Sequence, residues 1–272
     1  MKLNVHLRYS TYVLKLVTIA LVVVIAFIVT LSFANKGEAV KGVICNKSTN
    51  NVIANQARQI VDELRLELAG VEKQIRNHPY LTALENGQVS QENLKAFAGE
   101  EYNIVKSDIR SDSLLVQRFG GTRNGKFFQD ILSGEVQSLN LLLDLAKAFN
   151  LNEDDLKKYE PLPGAQAYPA YVASLALSAS EAEVGAAFLF NFSIFGENTG
   201  RMSAALQKQY HFTPKDTAFL DFFASPIPNF ECDSLTVIET GLKSGAEPLL
   251  IKRAARLLQA YEKLFWDTVA SD

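Results

Sequence analysis

The fold is decided by the stretch FAGEEYNIVKSDIRS, which runs from Phe97 to Ser111. On a helix, side chains three, four and seven residues apart share one face, and here that face is apolar. Glu101 and Asp108, seven residues apart, fall on this apolar face. Buried acids cost free energy unless they are paired, hydrogen-bonded or bound to a ligand. The stretch therefore predicts a core helix that carries part of a site. Its apolar face is formed by Leu94, Phe97, Ile104, Val105 and Leu115.

Similar helical patterns fill the chain from residue 52 onward. No alternating apolar and polar run is long enough for a strand, and no internal repeat is present. The pattern predicts one all-α domain over residues 52–272, with residues 161–169 as a loop and Thr213-Pro214 opening a helix. The predicted helices cover residues 52–76, 91–119, 126–149, 170–177, 181–210, 219–223, 231–242 and 249–269.

Composition excludes several classes of protein. A hydrophobic content of 48% with 21% charged residues is ordinary for a globular chain of 272 residues. The net charge of −3 and the pI near 5.7 give no basic surface, so nucleic-acid binding has no electrostatic support. The two cysteines, Cys45 and Cys232, could form one bond, but they indicate neither a disulfide framework nor a zinc site.

The N-terminal segment, residues 1–35, contains a charge-free run over residues 16–34 that is long enough to span a bilayer as a helix. We expect a single membrane anchor with a cytoplasmic N-terminus, followed by a polar linker over residues 36–51. Two alternatives stay open. The run could be a cleaved signal for export, because Ser32-Phe33-Ala34 resembles a cleavage site. The protein would be cytoplasmic if its true start lies further downstream. Basic residues flank the run on both sides, at Lys2, Arg8, Lys15, Lys36, Lys41 and Lys47.

Five acids lie on or beside the apolar faces of different predicted helices. A single acid of this kind is most simply explained by an ion pair, as Arg201 could provide for Glu197 one turn away. Five together predict a polar cavity inside a helical bundle, where carboxylates can act as acid, base or metal ligand. The five are Glu101, Asp108, Glu135, Glu197 and Glu262.

Histidine gives little support for a metal site. The chain has three histidines and no Glu-x-x-His pair of the kind that di-iron bundles use. His78 precedes a proline and His211 lies near a helix end, so both are expected to be capping or surface residues. We therefore expect no metal cofactor.

Several short motifs resemble the TenA/PqqC-type proteins, which share a haem-oxygenase-like, all-helical fold. They are Asn77-His-Pro-Tyr-Leu81, the turn at Glu85-Asn-Gly87, Glu101-Tyr102, Gly196-Glu197 and the ending Tyr261-Glu-Lys-Leu-Phe-Trp266. The resemblance covers about residues 52–269. It implies a haem-oxygenase-like bundle, which would follow the N-terminal hydrophobic helix predicted above. We also expect a homo-oligomer.

The resemblance also implies roles for individual residues. Glu101 matches the pocket acid with which TenA enzymes hold a pyrimidine, and Glu262 matches their C-terminal catalytic glutamate. Asn191 stands where the cysteine nucleophile of a thiaminase II would be, so ordinary thiaminase chemistry is not expected. We assign Glu101 and Glu262 as catalytic candidates. The substrate-binding candidates are Glu197, Asn191, Tyr102 and Asp108, and Tyr168, Tyr171 and Phe195 would supply walls.

A second branch of the family, the chlamydial CADD-type di-iron oxidases, implies an alternative. Its ligand positions fall on Glu101, Asp108, Glu197 and Asp233, with Asn229 and Thr236 where histidines are expected. That set would hold iron or manganese with altered ligands.

Three functions follow. The first, which we favour, is binding of a small heteroaromatic metabolite in a carboxylate-lined cavity, with acid–base chemistry. The second is a metal oxidase. The third is a non-catalytic binding protein whose acids are all paired with Arg or Lys.

Overall fold

The computed structural model of the chain describes Cys45 and residues 52–271. The predicted hydrophobic helix at residues 16–34 and the linker, apart from Cys45, lie outside these residues. Among the helices that are described, none has the length and apolar character needed to cross a bilayer. The described helices are α1 Val52–Arg76, α2 Pro79–Glu85, α3 Gln91–Phe119, α4 Gly125–Ala148, α5 Glu153–Lys158, α6 Pro163–Ser178, α7 Glu181–Gln209, α8 Ala218–Ala224, α9 Phe230–Lys243 and α10 Pro248–Val269.

Local capping explains where the two longest helices begin. The Ser90 hydroxyl accepts a hydrogen bond from the Asn93 amide, which starts α3 as predicted. A capping box between Ser180 and Glu183 starts α7. His78 caps α2, since its Nδ1 accepts a hydrogen bond from the Tyr80 amide at 3.3 Å. The prediction of a capping role for His78 is confirmed.

Two predictions about helix starts are wrong. Residues 161–169 are not a loop, because α6 begins at Pro163 and contains Pro169. Pro163 suits the first helical turn, and the burial of Tyr168 and Pro169 against the core outweighs the missing hydrogen bond at Pro169. Thr213-Pro214 forms a turn closed by Asp216, and the helix starts four residues after the proline.

Six helices form a ring of neighbouring pairs. In order around the ring, α3 packs against α6, α6 against α10, α10 against α7, α7 against α8, α8 against α4, and α4 against α3. Helices α1, α2 and α9 pack on the outside of α7, and α1 and α9 also pack on each other. This arrangement creates an interior that the six ring helices share.

Large aromatic side chains are among the most deeply buried residues of the core. Phe97 on α3 stacks on Trp266 of α10 with 6.4 Å between ring centroids, and both are fully buried. A disulfide joins Cys45 to Cys232 near the start of α9. The all-helical fold that the sequence predicts is thereby confirmed for the described residues.

Candidate active site

The ring of six helices encloses a cavity of about 40 Å³, room for about three water molecules. Every ring helix contributes to its wall, and the lining combines acids with aromatic rings. The lining residues are Glu101, Ile104, Val105, Asp108, Glu135, Tyr168, Asn191, Phe192, Phe195, Phe223, Glu262 and Phe265.

Glu262 is held by a chain of hydrogen bonds from three helices. Trp266 Nε1 donates to Glu262 Oε1 at 2.7 Å, and Asn191 Nδ2 donates to Glu262 Oε2 at 2.9 Å. The Tyr168 hydroxyl in turn donates to Asn191 Oδ1 at 2.8 Å. Burial raises the pKa of Glu262 to about 7, although the two hydrogen bonds oppose that rise. The hydrogen bonds therefore hold the Glu262 carboxyl group in one orientation, and this group gains or loses a proton near neutral pH.

The surroundings of Glu101 differ from those of Glu262. It is 3% exposed and has no hydrogen-bond partner among the described residues. Burial raises its pKa well above the usual range, and the nearby carboxylates Glu262 and Glu135 raise it further. The raised pKa favours the protonated form of this side chain, which can donate a hydrogen bond into the cavity.

Asp108 lies two turns after Glu101 on α3, so the spacing that predicted a shared face is confirmed. Its Oδ1 atom is buried without a hydrogen-bond partner in the described structure. Burial raises the pKa of Asp108 well above its usual range, with further contributions from Glu135 and Asp112. Asp108 is a second acid that the fold leaves without a donor.

Glu135 brings a fourth acid to the cavity from α4. Burial raises its pKa to about 7, and a hydrogen bond from the Ser138 hydroxyl at 3.4 Å opposes that rise. Asp112, one turn after Asp108 on α3, is 2% exposed. Its pKa is also raised by burial and by Glu135. The acidic part of the site is thus larger than the cavity wall itself.

Aromatic rings form the remaining wall. Phe195 and Phe223 meet edge to face with 5.2 Å between centroids. Phe192 stacks on Phe188 at 5.0 Å and on Phe230 at 5.3 Å, which fixes its plane against the cavity. A flat ligand in this cavity would contact both aromatic rings and carboxyl groups.

Four of the six predicted catalytic and binding residues line the cavity, and the other two lie elsewhere. Glu101, Asp108, Asn191 and Glu262 line one cavity. Of the three expected wall residues, Tyr168 and Phe195 are with them, whereas Tyr171 is not in the lining and packs on Tyr261.

Two predicted binding residues are outside the cavity. The side chain of Glu197 is 47% exposed and pairs with Arg76, not with Arg201, which pairs with Glu85. Glu197 faces the end of α1 because α1, not the ring interior, covers that side of α7. Tyr102 is buried in the core, and the Lys106 ammonium lies 5.0 Å from its ring centroid.

The alternative metal ligands are not assembled. Asp233 is exposed on α9, and with Glu197 at the surface the set of Glu101, Asp108, Glu197 and Asp233 is split between the cavity and the outside. Within the described residues, no three His, Cys, Asp or Glu side chains are grouped so that they could hold a metal ion.

Some residues of the cavity are predicted from the sequence, and others are not. Glu135 is one of the five acids from which the sequence predicts a cavity, but it is not among the predicted catalytic or binding residues. Asp112 was missed, although it follows Asp108 by four residues and so shares its side of α3. Phe223 and Phe265 gave no signal that separates them from ordinary core residues.

Comparison with known proteins agrees with this architecture. The sequence profile of the TENA/THI-4/PQQC family matches residues 65–272. The chain belongs to this family. No curated protein sequence matches the chain.

Solved structures of TenA homologues share the fold of this family member. A TenA homologue from Pseudomonas syringae superposes with a TM-score of 0.68 at 14% identity, over 78% of this chain and 92% of that one. A TenA homologue from Pyrococcus horikoshii gives 0.62 at 18% identity, over 77% and 97%. A haem-oxygenase-like domain from Shewanella denitrificans gives 0.56 at 12% identity, over 80% and 90%. The haem-oxygenase-like fold is therefore confirmed.

Proposed function

We propose that this TenA-family protein binds a small heteroaromatic metabolite in the ring cavity and moves a proton on it without a cysteine nucleophile. The supporting observation is that four carboxyl groups from α3, α4 and α10 line the same cavity as four phenylalanine rings. The rings would stack on a flat ligand, and the acids would hydrogen-bond to its nitrogen or oxygen atoms.

Glu101 and Glu262 would have different roles. Burial and nearby acids raise the pKa of Glu101 and so favour its protonated form, which would donate a hydrogen bond to a ring nitrogen of the ligand. Glu262 has a pKa near 7 and would give or take the proton that moves. A general acid or base works best when its pKa lies close to the working pH.

Asn191 would act through Glu262. An amide is not a nucleophile, and here its Nδ2 donates to Glu262 while its Oδ1 accepts from Tyr168. Asn191 therefore positions the carboxylate at the place where the family resemblance implies a cysteine. This substitution supports proton chemistry over cysteine-based cleavage.

The unpaired acids favour this proposal over a protein that kept the fold and lost the site. The latter would have its acids neutralised by Arg and Lys. Of the five acids that the sequence singled out, Glu197 has such an ion pair, whereas Glu101, Asp108, Glu135 and Glu262 have none within the described residues.

The test is a thermal-shift screen of pyrimidines and quinones against the full chain and two variants. We expect at least one compound to raise the melting temperature of the wild type, and Glu101→Gln to reduce that rise. Glu197→Gln is the matched control, because Glu197 lies at the surface, and it should respond like the wild type. Absence of stabilisation by every compound would overturn the proposal.

A further inference from the structure

The cavity wall carries negative groups without a positive one. The lining residues include four acids and no Lys, Arg or His. The cation that acts on Asp108 is Arg110, which is exposed two residues along the same helix. A buried carboxylate must either hold a proton or meet a cation, because an isolated buried charge is very costly. Within the described residues, no Lys, Arg or His side chain lines the cavity wall.

Two carboxyl oxygens in this region also have no hydrogen-bond donor. Asp108 lines the cavity, is 8% exposed, and its Oδ1 is buried without a partner in the described structure. Asp112 Oδ1, one turn further along α3, is in the same state. A buried acceptor without a donor costs about 1–3 kcal/mol, and native structures rarely tolerate several. The geometry points to a donor that comes with the ligand.

We propose that the part of the cavity between α3 and α4 is a subsite for a positively charged nitrogen group of the ligand, an ammonium or amidinium, held by Asp108 and Glu135. Its N–H groups would donate to the two carboxylates, and the adjoining Phe192 and Phe195 would face the ligand's flat part. Charge-assisted hydrogen bonds of this kind are about twice as strong as neutral ones, and aromatic faces also attract cations. This inference depends on the proposed function and adds the charge of the ligand to it.

Matched pairs of cationic and neutral probes test the subsite. Benzamidine and benzamide have nearly the same shape but differ in charge, as do acetamidine and acetamide. We expect isothermal titration at pH 8 to show each amidine binding about tenfold or more tighter than its amide, since only the amidine can form charge-assisted bonds.

Variants of the acids in this region test whether the two subsite carboxylates cause the preference for the amidine over the amide. Asp108→Asn and Glu135→Gln should each reduce it below about threefold by removing a carboxylate, and Asp112→Asn is a second variant should one of them fail to fold. Glu197→Gln, which alters a surface acid, should keep the full preference. Equal binding of amidine and amide would overturn the charged subsite while leaving the proposed function standing. Binding of neither would also overturn the subsite, and the pyrimidine and quinone screen decides separately on the function.

An independent observation concerns the two cysteines. Cys45 and Cys232 are the chain's entire complement, and they are bonded to each other across 187 residues of sequence. Disulfides persist in oxidising compartments, whereas the cytosol keeps thiols reduced. We infer that the helical domain resides in an oxidising compartment.

Thiol labelling of the full chain tests this placement. In a bacterial host with its periplasmic thiol oxidase, a maleimide–polyethylene glycol reagent should add no label before reduction and two labels after it. Cys232→Ser should show one label without reduction, which proves that the reagent reaches Cys45. Two labels on the unreduced wild type would overturn the inference, and so would full bond formation in a host that lacks the oxidase.

Discussion

Two adjacent acids on α3 have opposite surroundings. Glu100 is fully buried and accepts hydrogen bonds from the Tyr159 hydroxyl at 3.0 Å, the Leu162 amide at 2.7 Å and the Gln166 side chain at 3.2 Å. Glu101 is equally inaccessible, but it faces the cavity and has no donor among the described residues. Consecutive residues point about 100° apart on a helix, so one acid meets the α5–α6 connection and the other the interior.

The difference separates a structural acid from a functional one. The donors around Glu100 offset the cost of burying it, so it ties the connection between α5 and α6 to α3. Around Glu101 the fold supplies other acids instead of donors, and the cost of burial remains in its raised pKa. Groups that a fold leaves unsatisfied in a cavity are candidates for ligand contact.

The largest expected effect is on stability at Glu100. Glu100→Ala should lower the free energy of unfolding by about 3 kcal/mol, because three partly buried donors lose their acceptor. Glu101→Gln at pH 8 should change it by less than about 1 kcal/mol or stabilise the fold, since it removes an acid with no partner. Urea denaturation measures the free energy of unfolding of both variants. Equal losses in the two variants would break the distinction between these acids.

The pH dependence of stability tests the cavity acids as a group. A pKa of about 7 for Glu135 and Glu262 in the folded state, against 4.5 as the ordinary value, means that the folded protein binds more protons between pH 4.5 and 7. Stability should therefore fall as pH rises through this window, by about 3 kcal/mol at most for each of these two groups.

Urea denaturation from pH 5 to pH 8 measures this slope. Glu262→Gln should make it shallower, because the variant has no proton to lose at that site. The surface acids Glu63 and Glu67, whose pKa values are lowered by hydrogen bonds from Lys252 and Arg256, act mainly below pH 4.5. A wild-type stability that rises from pH 5 to pH 7 would contradict the raised pKa values.

Glycine positions test the wall contributed by α8. A methyl group at Gly196 would lie 2.6 Å from the Phe223 carbonyl oxygen, so Gly196→Ala should destabilise the protein by about 1–3 kcal/mol and disturb the cavity. Gly134→Ala is the matched control, since its methyl would meet Phe222 at an ordinary 3.6 Å. That change should stabilise α4 by up to about 1 kcal/mol. Thermal unfolding of both variants, with ligand binding of the first, measures the contrast.

The smallest effect is expected at Glu197. Its ion pair with Arg76 is half-exposed, and pairs of that kind contribute about 0–1 kcal/mol. Glu197→Gln should therefore change stability by less than about 1 kcal/mol in urea denaturation and leave ligand binding unchanged. A tenfold loss of binding would place Glu197 in the site after all.

Helical periodicity predicted the elements well because it acts within a single segment. The apolar face of α3 and the capping residues Ser90 and Ser180 were readable one helix at a time. The start of α6 was not, since burial of Tyr168 and Pro169 against neighbouring helices overrides the local effect of proline. The disulfide was likewise only a possibility, because two cysteines 187 residues apart become neighbours through the fold alone.

Apolar periodicity and short motifs are enough to predict an all-helical chain of the TenA type with acids on its apolar faces, Glu101 and Asp108 foremost. Which of those acids meet depends on how the helices pack. Periodicity states which side of a helix an acid occupies, but the helices packed on that side decide whether it reaches a cavity, a donor or solvent. For this reason Glu135 and Glu262 join Glu101 inside the ring of six helices, while Glu197, on an equally apolar helix, pairs with Arg76 at the surface.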